Sequence, residues 1–169
     1  MSSAAPCAPR LPAESGEIHL RPVETGDGAL LRAIYASTRA EELALTNWSE
    51  EQKAAFCEQQ FTAQDTFYRQ EYPAMASHII ERAGVPAGRL YVHRGQTGIL
   101  IIDIALLPEH RGAGIGTRFL RELQEEARAS QCPLTIHVEK FNPAIRLYLR
   151  LGFVAKEDTG VYFLMEWQA

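Results

Sequence analysis

The chain has 169 residues, 46% of them hydrophobic and 22% charged, with a net charge of −4. That is enough chain for one domain burying about 70% of its unfolded surface, and the acidic balance excludes the basic footprint of a nucleic-acid binder. No apolar run reaches the ~18 residues of a membrane span, residues 1–16 lack the apolar stretch of a secretory signal, and three cysteines without metal-ligand spacing read as free thiols of a reducing cytoplasm.

In chain order, residues 1–16 are rich in Ala, Pro and Ser and read as a disordered leader to a single domain over 17–169. Ile18–Val23 alternates as a first strand, which Pro22 places at a sheet edge or a strand end. Asp27 is predicted to cap a helix whose apolar face is Leu30, Leu31, Ile34, Tyr35 and Thr38. Ser49-Glu-Glu-Gln52 matches a capping box, and the helix it opens ends before Tyr72-Pro73. Ser77–Glu81 reads as a strand, Gly84–Gly88 as a turn and Arg89–His93 as the next strand. With a further turn at Arg94–Gly98, the three strands around these turns form an antiparallel meander.

The densest signal follows. Ile99–Leu107 is apolar except for Asp103, as in a strand buried on both faces. Pro108 stops it, and Gly112, Gly114 and Gly116 then fall at alternate positions before a helix with Ile115, Phe119, Leu120, Leu123 and Ala127 on one face. Strand, glycine loop and helix start make a cradle for an anionic phosphate, because the glycines let backbone N–H groups approach it. A P-loop would need a lysine here, and Gly-x-Gly-x-Gly is one residue short of the dinucleotide fingerprint. Glu139 nonetheless falls where a ribose-binding acid would, so a Rossmann-type dinucleotide-binding protein stays open as an alternative. Leu134–Glu139 follows the helix as a parallel crossover strand. Asn142 caps a short helix that Gly152 ends, and Phe153–Glu157 pairs with Val161–Trp167 as a hairpin. The sum is an α/β (α+β) fold, with a mixed, mostly antiparallel sheet of about seven strands and helices on both faces.

Arg111-Gly-Ala-Gly-Ile-Gly116 resembles the Arg/Gln-x-x-Gly-x-Gly/Ala signature of the GNAT superfamily of acyl-CoA N-acyltransferases. Asn142-Pro-Ala-Ile-Arg-Leu-Tyr-Leu-Arg-Leu-Gly-Phe153 resembles its second signature, Asn-x-x-Ala-x-x-Leu-Tyr-x-x-x-Gly-Phe. The resemblance is sharp over residues 99–153. It implies a GNAT-like N-acetyltransferase domain whose central parallel strands splay apart. Acetyl-CoA is then the donor, no metal is needed, and a small-molecule or peptide amine attacks directly through a tetrahedral intermediate.

By the same resemblance, the backbones of Ile104, Ala105 and Leu106 meet the pantetheine arm. Arg111, Gly112, Ala113, Gly114, Ile115, Gly116 and Thr117 hold the pyrophosphate, and Asn142 and Ala144 lie against the donor. Tyr148 is implied as the general acid for the departing thiolate; its unperturbed pKa of about 10 would make that transfer nearly isoenergetic. From spacing alone, Asn142 reads equally as a helix cap and Tyr148 as helix packing.

The general base stays open among Asp103, His137 and Glu139, with a water chain as the alternative to all three. For the acceptor, Glu42 and Trp48 in the link between the first two helices are the candidates. The acids around them (Glu41, Glu50, Glu51, Glu58, Asp65 and Glu71) read either as a solvated surface or as a cleft preferring a cation. A cytoplasmic monomer or homodimer is expected, without nucleic-acid or membrane partners. A different class also remains: an acyl-CoA sensor that transfers nothing.

Overall fold

The computed structural model describes residues 17–169; the leader read over residues 1–16 lies outside the described residues. Strand β1 is Ile18–Pro22, helix α1 Gly28–Ala44, α2 Glu50–Glu71, β2 Ala76–Arg82, β3 Val85–Arg94 and β4 Ile99–Leu106. Then come α3 Ile115–Ala129, β5 Leu134–Glu139, α4 Ile145–Arg150, β6 Val154–Asp158 and β7 Tyr162–Trp167. The strands form one sheet in the order β1-β2-β3-β4-β5-β7-β6. Among the described residues β4–β5 is the single parallel pair. A doubly wound dinucleotide-binding sheet is parallel almost throughout, so the Rossmann-type alternative falls.

Alternation along the strands gives the sheet two packed faces. Leu90, Val92, Ile99, Ile101, Leu134, Ile136 and Val138 bury one face against Ile115, Phe119, Leu120, Leu123 and Ala127 of α3 and Tyr148 of α4. Ile79 and Tyr91 bury the other against Leu31 and Tyr35 of α1 and Phe61 of α2. The capping box at α2 is complete: Ser49 Oγ accepts from the Gln52 N–H at 3.2 Å, and Gln52 Oε1 accepts from the Ser49 N–H at 2.9 Å.

Two local expectations are corrected. The turn placed at Gly84–Gly88 is only Ala83-Gly84, both at positive φ (51° and 75°), and β3 already begins at Val85. Pro86 is tolerated inside the strand because the pairing with β2 slips there: Ile80 faces Gly88 while Glu81 faces Pro86. Asp27, in turn, makes no side-chain cap on α1. Its carboxylate accepts two bonds from the Arg21 guanidinium (2.7 and 2.8 Å) and one from the Glu24 N–H (2.7 Å), which hold its pKa down at about 2.

The central strand β4 carries the irregularity that builds the site. Tyr91 of β3 faces Asp103 while Val92 faces Ile101, so Ile102 is an extra residue. Strict alternation would put Asp103 on the face of Ile99 and Ile101, inside the apolar core under α3. The bulge turns both Ile102 and Asp103 to the α1–α2 face and returns Ile104 and Leu106 to the α3 face. Gly88 on β3 lets β4 run close: a Cβ there would lie 2.2 Å from the Ala105 carbonyl oxygen.

Candidate active site

β4 and β5 pair only from Ile99–Leu134 to Ile101–Ile136, and beyond that they part. The gap opens into a cleft of about 220 Å³ that runs between the two faces of the sheet. Ile104 and Ala105 line it from β4, His137, Val138 and Glu139 from β5, and Tyr148 from α4.

The glycine loop follows β4 on the α3 side, beyond the residues that line the cleft. Gly112 and Gly114 sit at φ 73° and 79°, where an L side chain is strained, and Gly114 is the N-cap of α3. The first backbone bond after the loop runs from the Arg118 N–H to the Gly114 carbonyl at 3.0 Å; among the described residues none of the N–H groups from Gly112 to Thr117 finds a backbone acceptor. Residues 111–114 are exposed, and a Cβ at Gly112 or Gly114 would meet nothing within 4 Å. The loop is therefore a row of open donors at the positive end of a 15-residue helix, suited to a diphosphate. Gly116 has ordinary helical φ; its missing side chain leaves room beside Leu147 of α4, 3.8 Å from where a Cβ would be. Arg111 does not face this cradle. Its Nε donates to the Leu106 carbonyl (2.9 Å) and its Nη2 reaches the Ser37 carbonyl (3.3 Å), tying the end of β4 to α1.

Ahead of α4, Asn142 Oδ1 accepts from the Ala144 N–H at 2.9 Å; the N-cap itself is Ala144, without a side-chain bond, so the cap expected of Asn142 is corrected to a turn one step before the helix, and Asn142 also lines the cleft. Tyr148 is 3% exposed, with its ring edge-on to Phe153 at 5.7 Å. Burial first, and the Asp103 carboxylate second, push its pKa well above the usual phenol value. The near-isoenergetic match with a thiol, taken from the unperturbed phenol, is thereby corrected: buried Tyr148 is a weaker acid than a free phenol.

The α1–α2 side is made of side chains. Arg89 of β3, 2% exposed, pairs with Asp103, donates from Nη2 to Gln64 Oε1 of α2 (2.8 Å), and lies over the Tyr91 ring at 5.2 Å. Burial works against the Arg89 charge, and the Asp103 carboxylate together with the Tyr91 and Tyr68 phenols more than offsets it. Asp103 is in turn felt by three phenols: Tyr68, Tyr91 and Tyr148 are all raised, by burial first and with its charge contributing.

The other two base candidates stand nearer solvent. His137 is exposed. Glu139, with its side chain 43% exposed, lies 3.7 Å from Arg39 Nη1 and holds Tyr162 by a hydrogen bond. Arg39 also donates to the Tyr35 hydroxyl (3.1 Å) and to Glu42 (3.3 Å).

The link residues fare differently from the expectation. Trp48 packs edge-on against Phe56 at 5.3 Å and does not line the cleft, and Glu42 reaches it only through Arg39. Glu50, Glu58 and Asp65 pair with Lys53, Arg32 and Arg69 on the helix surfaces. None of the acids listed from α1 and α2 lines the cleft, whose cations are Arg39 and Arg89.

Sequence reasoning missed Arg39, Gln64 and Arg89, while Tyr68, one of the aromatics expected beside the acceptor, does line the cleft. A signal for Arg89 existed: a lone acid in an apolar strand needs a cation, and the neighbouring strand of the meander offers one two residues from the position facing Asp103.

With this geometry in hand, the chain compares with known proteins as follows. The sequence model of the acetyltransferase (GNAT) family matches residues 39–153. No curated protein matches the chain significantly. By structure the chain is similar to a PaiA N-acetyltransferase from Thermoplasma acidophilum in complex with coenzyme A, at 16% identity, 90% of this chain and 99% of that one, and a TM-score of 0.68. It is also similar to YncA from Salmonella typhimurium with its cofactor acetyl-CoA (21%, 90% and 94%, TM-score 0.56). A third similar structure is the ribosomal-protein-S18-alanine N-acetyltransferase from Escherichia coli (21%, 89% and 93%, TM-score 0.58). Identities this low speak for a shared fold.

Proposed function

The chain belongs to the acetyltransferase (GNAT) family, and from that premise we propose that it moves an acetyl group from acetyl-CoA to a primary amine by direct attack. The observation that carries the reading is the continuity of the donor path. β4 leaves β5 after Ile101, and its backbone runs on into a loop with six successive open N–H groups. A pantetheine arm fits the freed edge of Ile104, Ala105 and Leu106, as an added strand would, and a diphosphate fits the loop from Gly112 to Thr117. Asn142 and Ala144 flank that path. Arg111 serves it indirectly, by holding the end of β4 to Ser37.

The acceptor enters from the α1–α2 side, where Asp103 faces the cleft. An ammonium must first lose a proton; Asp103 is the base this arrangement favours, because it faces the cleft from β4, the strand whose freed edge takes the donor, while Glu139 and His137 stand nearer solvent on β5. The nitrogen lone pair then forms the C–N bond at the thioester carbonyl, and the oxyanion meets the freed backbone N–H groups near Leu106. Collapse breaks the C–S bond. The leaving sulfur takes the Tyr148 proton, the amide nitrogen releases its remaining extra proton, and solvent reprotonates Tyr148. A protein of this build acts as an independent domain over residues 17–169, and Glu42 contributes by holding Arg39 at the cleft.

Isothermal titration with acetyl-CoA tests the donor half. Micromolar binding is expected, weakened about tenfold or more by Gly114→Glu, which strains a positive-φ site and adds a negative charge to the cradle. Equal affinity for the wild type and Gly114→Glu would place the diphosphate elsewhere.

A further inference from the structure

The Arg89–Asp103 pair is poorly explained by stability. Its neighbours are Leu90, Tyr91, Val92, Ile101, Ile102 and Ile104, and apolar residues in place of a buried ion pair are commonly neutral or better. Arg89 even leaves its buried Nε without a hydrogen-bond partner. Yet three separate features converge on Asp103: the extra residue Ile102 turns it out of the α3 core, Arg89 closes on it, and Gln64 with Tyr91 fixes Arg89 from α2 and β3. Within the carboxylate the two oxygens differ. Oδ2 is buried against Arg89, so the 20% exposure of the side chain lies on its other atoms, Oδ1 among them, and the residue lines the cleft. The χ2 torsion of Asp is broad, so without a partner on one oxygen nothing would fix where the other points.

We propose that Arg89 is the positioning residue of the acceptor half: it grips Oδ2 of Asp103 and so aims Oδ1 at the incoming amine. The inference rests on Asp103 being the acceptor-side base, and it deepens that assignment by naming what orients it. The backbone of Arg89 pairs with Ala105 of β4, but its guanidinium reaches Asp103 and Gln64 on the acceptor side. Gln64 acts through Arg89, which ties the orientation of the carboxylate to the seating of α2.

The test is a cycle of kcat values, with acetyl-CoA affinity and melting temperature recorded for every variant. Arg89→Lys, which keeps the charge but loses the fork, and Arg89→Met should each lower kcat by about 10²-fold, the usual penalty for a misaimed group, with acetyl-CoA affinity unchanged. In an Asp103→Asn background, adding Arg89→Met should change kcat less than about twofold, while melting temperature recovers relative to Arg89→Met alone because no charge is left buried and unpaired. Should Arg89→Met not fold, Arg89→Lys and the double variant still complete the comparison. A further 10²-fold loss in the Asp103→Asn background, or wild-type kcat in Arg89→Lys, overturns the proposal. Wild-type kcat in Asp103→Asn alone overturns instead the assignment of the base.

Discussion

The two halves of the proposed site, donor and acceptor, are built from different materials. The donor half is backbone: a bare strand edge, a loop of open N–H groups and the head of α3, with glycines at φ 73° and 79°. The acceptor half is side chains, contributed by α1, α2, β3, β4, β5 and β7 and locked into ion pairs and hydrogen bonds. A backbone site tolerates almost any side chain except where the chain must turn or approach closely, so its requirements condense into a few glycines. A side-chain site is rebuilt by any substitution, which suits a half that must fit a particular acceptor. Tyr148 stands where the halves meet, and β4 is the one strand they share.

Three changes break or sharpen that contrast. Tyr148→Phe acts at the junction and has the largest expected effect. Turnover should fall by roughly 10²–10⁴ while acetyl-CoA affinity hardly moves, because the ring and the backbone cradle are untouched. Since burial holds the phenol above its usual pKa, no loss of Tyr148 protonation should shape the kcat–pH profile below pH ~10. Unchanged kcat in the variant would make Tyr148 a packing residue.

Gly88→Ala acts on the shared strand. Its Cβ would fall 2.2 Å from the Ala105 carbonyl oxygen, so β4 must shift where both halves depend on it. A stability loss of about 3 kcal/mol is expected by chemical denaturation, with donor affinity and turnover falling together. A loss of turnover with donor affinity intact would show the halves to be less coupled than their common strand implies.

The third change lies outside both halves and has the smallest effect. Asp27, clamped by Arg21 at the β1 edge, titrates near 2 in the folded protein against about 4 unfolded. A depressed carboxylate stabilises above its unfolded value, so this contribution is complete above pH 4 and is lost as pH falls from about 4 to 2. Asp27→Asn should flatten the stability profile in that window and leave kcat per folded molecule unchanged, in contrast to Asp103→Asn.

How much was legible in the sequence follows the same division. The glycine spacing, the capping box at Ser49 and the seven-strand layout are local patterns, and they carried the fold and marked the loop we propose as the donor cradle. Arg111 was misread in detail because a motif gives a residue's neighbourhood and not its direction: its fork serves the Leu106 carbonyl and Ser37. Arg39 and Arg89 were hidden because their importance depends on register. A single extra residue, Ile102, decides which face of β4 Asp103 occupies, and no periodicity reveals a bulge in an all-apolar run. The acids of α1 and α2 are plentiful in sequence, and three of them, Glu50, Glu58 and Asp65, are spent in space on Lys53, Arg32 and Arg69, as the solvated-surface reading has it.

The central claim is that an acetyl group crosses this cleft from one half to the other. Thiol release from saturating acetyl-CoA, followed over a panel of amino acids, polyamines, aminoglycosides and peptides, tests it most directly. The account predicts turnover with at least one primary amine, with one acetyl amide formed per thiol released. Tight acetyl-CoA binding with no turnover on any amine would contradict it, and would leave a domain that senses the donor and transfers nothing.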